Sequence, residues 1–205
     1  MSDYIEVTGH GHVDEPPDIL AAQLGAEARA PDVATALEAT ERAMQAMTAS
    51  ARGNGVGSAD IRTTGMTVHP DHDHQGRPSG YVTSIGLGLV LRDVGRAGEV
   101  VAAVVAAGGE ASRVGGVSLG LDDPEPARAG ARDRAFENAR RKAEQLAALS
   151  GRELGTVLRV REHRPGHVGG FEEQSGLVMA SRTALTIEPG TGAVKATVIV
   201  RWQLI

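Results

Sequence analysis

The chain has 205 residues, of which 41% are hydrophobic and only 2% aromatic, so we expect a folded core built from Val, Leu, Ile, Ala and Met. A formal net charge of −5 without a long basic run argues against a nucleic-acid partner. The lack of cysteine excludes disulfides and thiolate sites, and no apolar run approaches the roughly 18 residues of a membrane-spanning helix.

The first third of the chain predicts two strands and a helix. Alternation over Tyr4–Val7 indicates a strand that ends at Gly9–His12, where glycine and histidine interleave. Leu and Ala alternate over Ile19–Ala30, which favours a strand over a helix. Asp32 is a suitable N-cap for the next helix, and Gly53–Gly55 ends it. One face of this helix carries the residues expected to be buried: Val33, Leu37, Thr40, Met44, Met47 and Ala51.

The middle third predicts a hairpin, a helix and a bulged strand. Ile61–His69 and Tyr81–Leu91 are typical of strands, and the segment between them reads HPDHDHQGRPSG. A helix is expected over Asp93–Ala107. The next strand, Ala111–Leu121, contains Gly115-Gly116, which indicates a β-bulge.

The last third predicts the longest helix, from Asp123 to Leu149. Alanine recurs there every four residues, and such a row of methyl groups favours close packing on a sheet or another helix. Strands are expected over Leu154–His163, Thr183–Glu188 and Val194–Leu204, the last two joined by a tight turn. Residues 164–181 form a long glycine-rich connection, interpreted either as a surface loop or as a segment that packs on a neighbouring subunit or partner.

The predicted fold class is α+β, with antiparallel sheets packed against three helices in the order β-β-α-β-β-α-β-α-β-β-β. Short turns between neighbouring strands favour antiparallel pairing. No linker divides the chain, so residues 1–205 are expected to form a single domain.

Several short motifs resemble those of the SIMPL-domain family. They are VTGHG at 7–11, PPD at 16–18, DIRT at 60–63, GY at 80–81, RKAEQLAALSGRELG at 141–155 and IEPG at 187–190. The family includes bacterial periplasmic and surface-antigen proteins and is named for a mammalian kinase-associated signalling protein. The resemblance implies an α+β fold, self-assembly and a role connected with stress, and it implies no catalytic residues.

Histidines form two groups that could bind a divalent metal. His69, His72 and His74 lie between two predicted strands, and His10 and His12 lie at the end of the first strand. Neutral imidazole binds Zn²⁺, Ni²⁺ and Cu²⁺, but this spacing enforces no tetrahedral site. We therefore expect solvated polar residues and no metal, with metal binding by these five histidines as the alternative.

Other polar clusters have simple structural interpretations. Asp122-Asp123 precedes a helix and suits capping better than paired-carboxylate catalysis. The arginine face over 128–141 is expected to be solvated and balanced by Glu137 and Glu144, although it could contact an acidic partner. No nucleophile elbow or phosphate-binding loop is present, so a hydrolase has the least support.

We therefore expect a non-enzymatic, self-associating domain that acts as a scaffold or binding module, as a homo-oligomer or with a protein partner. No cofactor is expected. The N-terminal sequence lacks the pattern of a secretion signal, which favours a cytoplasmic location, or a periplasmic or secreted one if a leader was removed.

Overall fold

The computed structural model describes residues 3–163 and 188–205 of the chain. These residues form three α-helices and seven strands in two antiparallel sheets, which confirms the predicted α+β class. Their order agrees with the predicted one up to the last hairpin. The expected strand over Thr183–Glu188 and the connection at 164–181 lie outside the described residues, except for Glu188.

The helices and strands are numbered in chain order. They are β1 Tyr4–Glu15, β2 Ile19–Ala30, α1 Val33–Gly53, β3 Ile61–His72, β4 Pro78–Leu91, α2 Val94–Gly108, β5 Ser112–Gly120, α3 Glu125–Leu149, β6 Leu154–His163 and β7 Gly192–Leu204. The predicted bounds of β2 and β6 are confirmed. The prediction that the first strand ends at Gly9–His12 was wrong, because β1 continues to Glu15.

The described residues fall into two compact units. Unit 1 contains β1, α3, β6 and β7, and unit 2 contains β2, α1, β3, β4, α2 and β5. In unit 1 the sheet order is β1-β7-β6, and in unit 2 it is β3-β4-β2-β5. That residues 1–205 behave as a single domain stays a prediction.

In unit 1, α3 lies on β1 and β7 through a row of alanines. The buried members of the row are Ala127, Ala131, Ala135, Ala139, Ala143 and Ala147. An added Cβ at Gly9 would collide with the carbonyl oxygen of Ala135 and lie 2.7 Å from Cβ of Ala139, and one at Gly11 would collide with the backbone of Ala131 and Ala135. The glycines of β1 therefore bring the helix backbone against the strand backbone, and they do not end the strand.

In unit 2, α1 and α2 cover one face of the sheet with larger side chains. The fully buried ones include Leu20, Met47, Leu87, Leu89 and Val104. The predicted face of α1 is confirmed at Thr40, Met44, Met47 and Ala51, whereas Val33 is exposed.

Two local features of unit 2 are the cap at the start of α1 and the bulge in β5. The Asp32 carboxylate accepts a hydrogen bond from the Thr35 backbone N–H at 2.9 Å, which confirms the predicted cap of α1. The pairing of β5 with β2 shifts at Gly115, since Gln23 faces Gly116 and Leu24 faces Val114. The predicted bulge is thereby confirmed.

Candidate functional site

The histidine-rich segment forms the end of the β3–β4 hairpin. His69 and His72 lie in β3, and His74 lies in the turn. One carboxylate oxygen of Asp73 accepts hydrogen bonds from the backbone N–H groups of Gln75 and Arg77, at 2.8 and 2.9 Å. This carboxylate therefore organises the turn, which is the Asx-type role that aspartate commonly has in turns.

The other two histidines lie within β1 of unit 1. His10 and His12 are two residues apart on one strand, so their side chains share a face, and both residues are exposed. Nδ1 of His10 lies 3.1 Å from the Thr197 hydroxyl, and Nε2 of His12 lies 3.9 Å from the Asp14 carboxylate. The nearest polar neighbours are therefore a hydroxyl and a single carboxylate.

The five candidate metal ligands are thus divided between two units, with His10 and His12 in unit 1 and His69, His72 and His74 in unit 2. Within residues 3–163 and 188–205, no three His, Asp or Glu side chains are grouped so that they could hold a metal ion. Divalent metal binding by these histidines stays a prediction, which titration with Zn²⁺ would test.

The acidic pair and the arginines near α3 have structural partners. Asp123 accepts a hydrogen bond from the backbone N–H of Glu125 at 3.0 Å, although Pro124 occupies the N-cap position itself. Arg128 and Arg132 both bind the Glu125 carboxylate at 3.2 Å, and these bonds lower the pKa of Glu125, with the bond from Arg128 contributing most. Arg140 pairs with Glu144 at 3.0 Å, one helical turn later.

The free edge of β1 is closed by side chains of α3. Lys142 Nζ donates to the Thr8 carbonyl oxygen at 3.1 Å, and the side-chain oxygen of Asn138 accepts from the backbone N–H of His10 at 3.1 Å. Arg134 donates to the His12 carbonyl oxygen at 2.6 Å. These three side chains are four residues apart along α3, so a single helix row occupies backbone groups that a further strand would need.

The β6 edge of the same sheet is different. β6 has few contacts with α3, and most of its residues are exposed. Val157, Leu158 and Val160 are apolar and 44–52% exposed. Within the part of the chain that the structure describes, β6 is an edge strand, so it presents apolar side chains together with backbone hydrogen-bonding groups that no described strand pairs with.

In unit 2 the edge strand β3 extends beyond the cover of α1. Its side chains Met66 and Val68 are 57% and 41% exposed, although they lie opposite Ile85 and Thr83, which face the buried side of the sheet. An open groove of about 610 Å³ runs between α1 and β3. It is lined by Glu41, Met44, Gln45, Thr48, Ala49, Arg52, Thr63, Met66 and Ile85.

The edge strands β3 and β6 are the candidate functional surfaces, one in each unit, and sequence reasoning did not identify them. Alternation in a sequence indicates which faces of a strand are apolar, but it does not give the position of the strand in its sheet. Met66 and Val68 were the available signal, since they are apolar residues in a strand whose other residues are mainly polar or glycine.

No helix in the described part of the chain is long and apolar enough to cross a membrane.

Comparison with known proteins gives a family and several relatives. The sequence model of SIMPL, described as "Protein of unknown function (DUF541)", matches residues 5–202. The chain is 28% identical over 163 residues to "Uncharacterized protein YggE" of Escherichia coli, covering 78% of this chain and 65% of that protein. It is also 28% identical over 166 residues to the "26 kDa periplasmic immunogenic protein" of Brucella melitensis biotype 1, covering 77% and 66%. The chain therefore spans less than two thirds of the length of these relatives.

Proposed function

Because the chain belongs to the SIMPL family of proteins of unknown function, as the resemblance in its motifs indicated, we propose that it is a non-enzymatic, self-associating domain that acts as a scaffold or binding module. The observation that supports this proposal is that both units have edge strands with exposed apolar side chains, β6 in unit 1 and β3 and β5 in unit 2. Among residues 3–163 and 188–205, no strand pairs with the outer side of β3 or β6, and Met66, Val68, Val157, Leu158 and Val160 are exposed there.

Open edges of this kind favour association with another chain. A row of free N–H and C=O groups can extend the sheet by pairing with a further strand. Burial of exposed apolar side chains makes the free energy of association more favourable. Natural proteins usually protect such edges, and unit 1 does so at β1 through Lys142, Asn138 and Arg134. The contrast with β1 supports a binding role for β3 and β6.

Light scattering across a wide range of protein concentration tests the proposal. We expect a mass above that of one chain, and we expect the combined substitutions Val68→Glu and Val160→Glu to lower it, because charges at both open edges oppose pairing. Leu149→Glu is the matched control, since Leu149 is 77% exposed near the end of α3 and lies on neither edge strand. A wild-type chain that stays monomeric at every concentration would contradict self-association.

A periplasmic location is part of the proposal. It is supported by the name of the Brucella relative, a periplasmic immunogenic protein, whereas the comparisons give no support to the cytoplasmic location expected from the N-terminal sequence. Fractionation of cells that express the protein from its native gene tests this point. Recovery with the cytoplasmic markers would contradict it.

A further inference from the structure

We infer that β3 is the strand through which two copies of this chain join, by antiparallel pairing about a two-fold axis at Thr67. This inference rests on the proposed self-association and specifies its surface. The joined sheets would form one continuous eight-stranded sheet, because β3 is the edge of a four-stranded sheet in each copy. The interface would be isologous, the commonest arrangement in homodimers.

The central register brings the exposed apolar residues of β3 together. When Thr67 of one chain lies opposite Thr67 of the second chain, Met66 of each chain lies opposite Val68 of the other. The dimer therefore contains two such pairs. Both side chains are on the face of the sheet that carries α1, and both are largely exposed in the single chain. Directly opposite side chains in antiparallel strands lie close together, so each pair of Met66 and Val68 would bury apolar surface of both chains.

The bulge in β3 allows the same register to continue outwards. Pairing with β4 shifts between Thr63 and Gly65, so Thr64 is an extra residue in the strand. If Thr64 is also skipped in the pairing of two copies, Arg62 lies opposite Asp71 of the second copy. Arg62 and Asp71 lie on the same face of the sheet, because their partners Gly88 and Gly80 are an even number of residues apart in β4.

The strand is therefore self-complementary in charge as well as in apolar pattern. A two-fold axis at Thr67 places one positive and one negative side chain opposite each other at both ends of the pairing, which opposes other registers. Asp71 already lies 3.6 Å from Arg29 of its own chain, so Arg62 of the second copy would join an existing ion pair. Pro70 has no N–H to donate, so it cannot give a backbone hydrogen bond where it lies opposite Thr63 of the second copy, just inside the charged pair.

Cysteine cross-linking tests the axis directly, because the natural chain has no cysteine. Thr67→Cys places two thiols on directly opposite residues, whose Cα atoms are about 4.5–5.5 Å apart in antiparallel pairs and so suit a disulfide. We expect most of this variant to become a covalent dimer under mild oxidation. Val114→Cys is the matched control, since Val114 is 58% exposed on β5, the other edge of the same sheet, and we expect it to stay monomeric on a non-reducing gel.

A charge exchange gives a second test that needs no cross-link. Arg62→Asp places like charges opposite each other at two positions per dimer, so we expect weaker dimerisation by sedimentation. Adding Asp71→Arg to the same chain should restore it in part, because each copy then presents the reversed pair while Arg29 of its own chain repels the new charge at position 71. Circular dichroism checks that each variant is folded.

The outcomes separate this inference from the proposed function. If the wild type assembles but Thr67→Cys does not cross-link more than Val114→Cys, pairing through β3 is overturned while self-association stands. The same holds if Arg62→Asp has no effect, if the double variant fails to recover, or if another segment of the chain or a different protein covers β3. If the wild type does not assemble, the proposed function itself is overturned.

Discussion

The two units pack a helix layer on an antiparallel sheet by opposite means. In unit 1, α3 meets β1 through alanine and glycine, so backbone lies against backbone at Gly9 and Gly11, and larger side chains such as Trp202 pack on the same alanines from β7. In unit 2, α1 and α2 meet the sheet through Met, Leu and Val. The difference shows which substitutions should destabilise each unit. Adding volume at the contact of α3 with β1 lowers the stability of unit 1, and removing volume from the core lowers that of unit 2.

The largest effect is expected where volume is added to unit 1. Gly11→Val would place a side chain against the backbone of Ala131 and Ala135, which cannot move without displacing α3. We expect a loss of at least about 3 kcal/mol in the free energy of unfolding, measured by urea denaturation. Gly116→Ala is the control, because nothing lies within 4 Å of an added Cβ at that strand position. Equal losses for the two variants would contradict the close packing of α3.

The next effect is expected where volume is removed from unit 2. Met47 is fully buried in α1, and Met47→Ala would leave a cavity among the large side chains of this core. We expect a loss of about 2–5 kcal/mol by the same measurement. Val114→Ala, at an exposed position, should change stability by less than about 0.5 kcal/mol.

A smaller loss of stability is expected from a substitution that opens the closed edge of β1. Asn138→Ala leaves the backbone N–H of His10 without its side-chain partner, so we expect a loss of about 0.5–1.5 kcal/mol. The newly opened edge of β1 should also increase the mass seen by light scattering. Glu137→Ala, at the neighbouring position on the same helix, is the matched control, and an identical mass for both variants would show that Asn138 does not protect the edge.

The smallest effect concerns helix N-termini, which both units stabilise with carboxylates. A hydrogen bond from the Thr35 backbone N–H lowers the pKa of Asp32, with a further contribution from the Thr35 side chain, and Arg128 and Arg132 lower that of Glu125. A carboxylate whose pKa is lower in the folded state stabilises the fold at pH values above its unfolded pKa. That contribution disappears as the pH falls through the folded pKa.

Thermal unfolding at neutral and acidic pH checks this expectation. Asp32→Asn and Glu125→Gln should each reduce the fall in Tm between neutral pH and a pH below the usual carboxylate range. The reduction should be small, since both carboxylates are exposed. A steeper fall in either variant would contradict the assigned sign.

Much of the fold could be predicted from sequence because local patterns specify local structure. The alternation over Ile19–Ala30 gave a strand, the alanines at every fourth position gave the buried row of α3, and Gly115-Gly116 gave the bulge. The end of β1 could not be predicted in this way. Glycines commonly end a strand. Gly9 and Gly11 lie inside a strand because α3, which is more than a hundred residues away in sequence, packs directly on them.

The candidate surface was less predictable than the fold, because it depends on which strands lie at the edges. Lys142, Asn138 and Arg134 lie on one row of α3, but nothing local indicates that this row would bind the backbone of β1. Likewise, Met66 and Val68 are exposed because α1 covers little of β3. Both facts follow from the order of strands in the sheets, which is set by non-local contacts.

The pairing of β1 with β7 has a consequence for the order of events on the ribosome. Glu6 and Arg201 form an ion pair across these strands and are 195 residues apart, so the sheet of unit 1 cannot close until nearly all of the chain has been translated. The described strands and helices of unit 2 are continuous from residue 18 to 120, so their pairing does not have to wait for the last strand. β1 has no strand partner until β7 is available, and its polar, glycine-containing sequence is well suited to staying soluble during that interval.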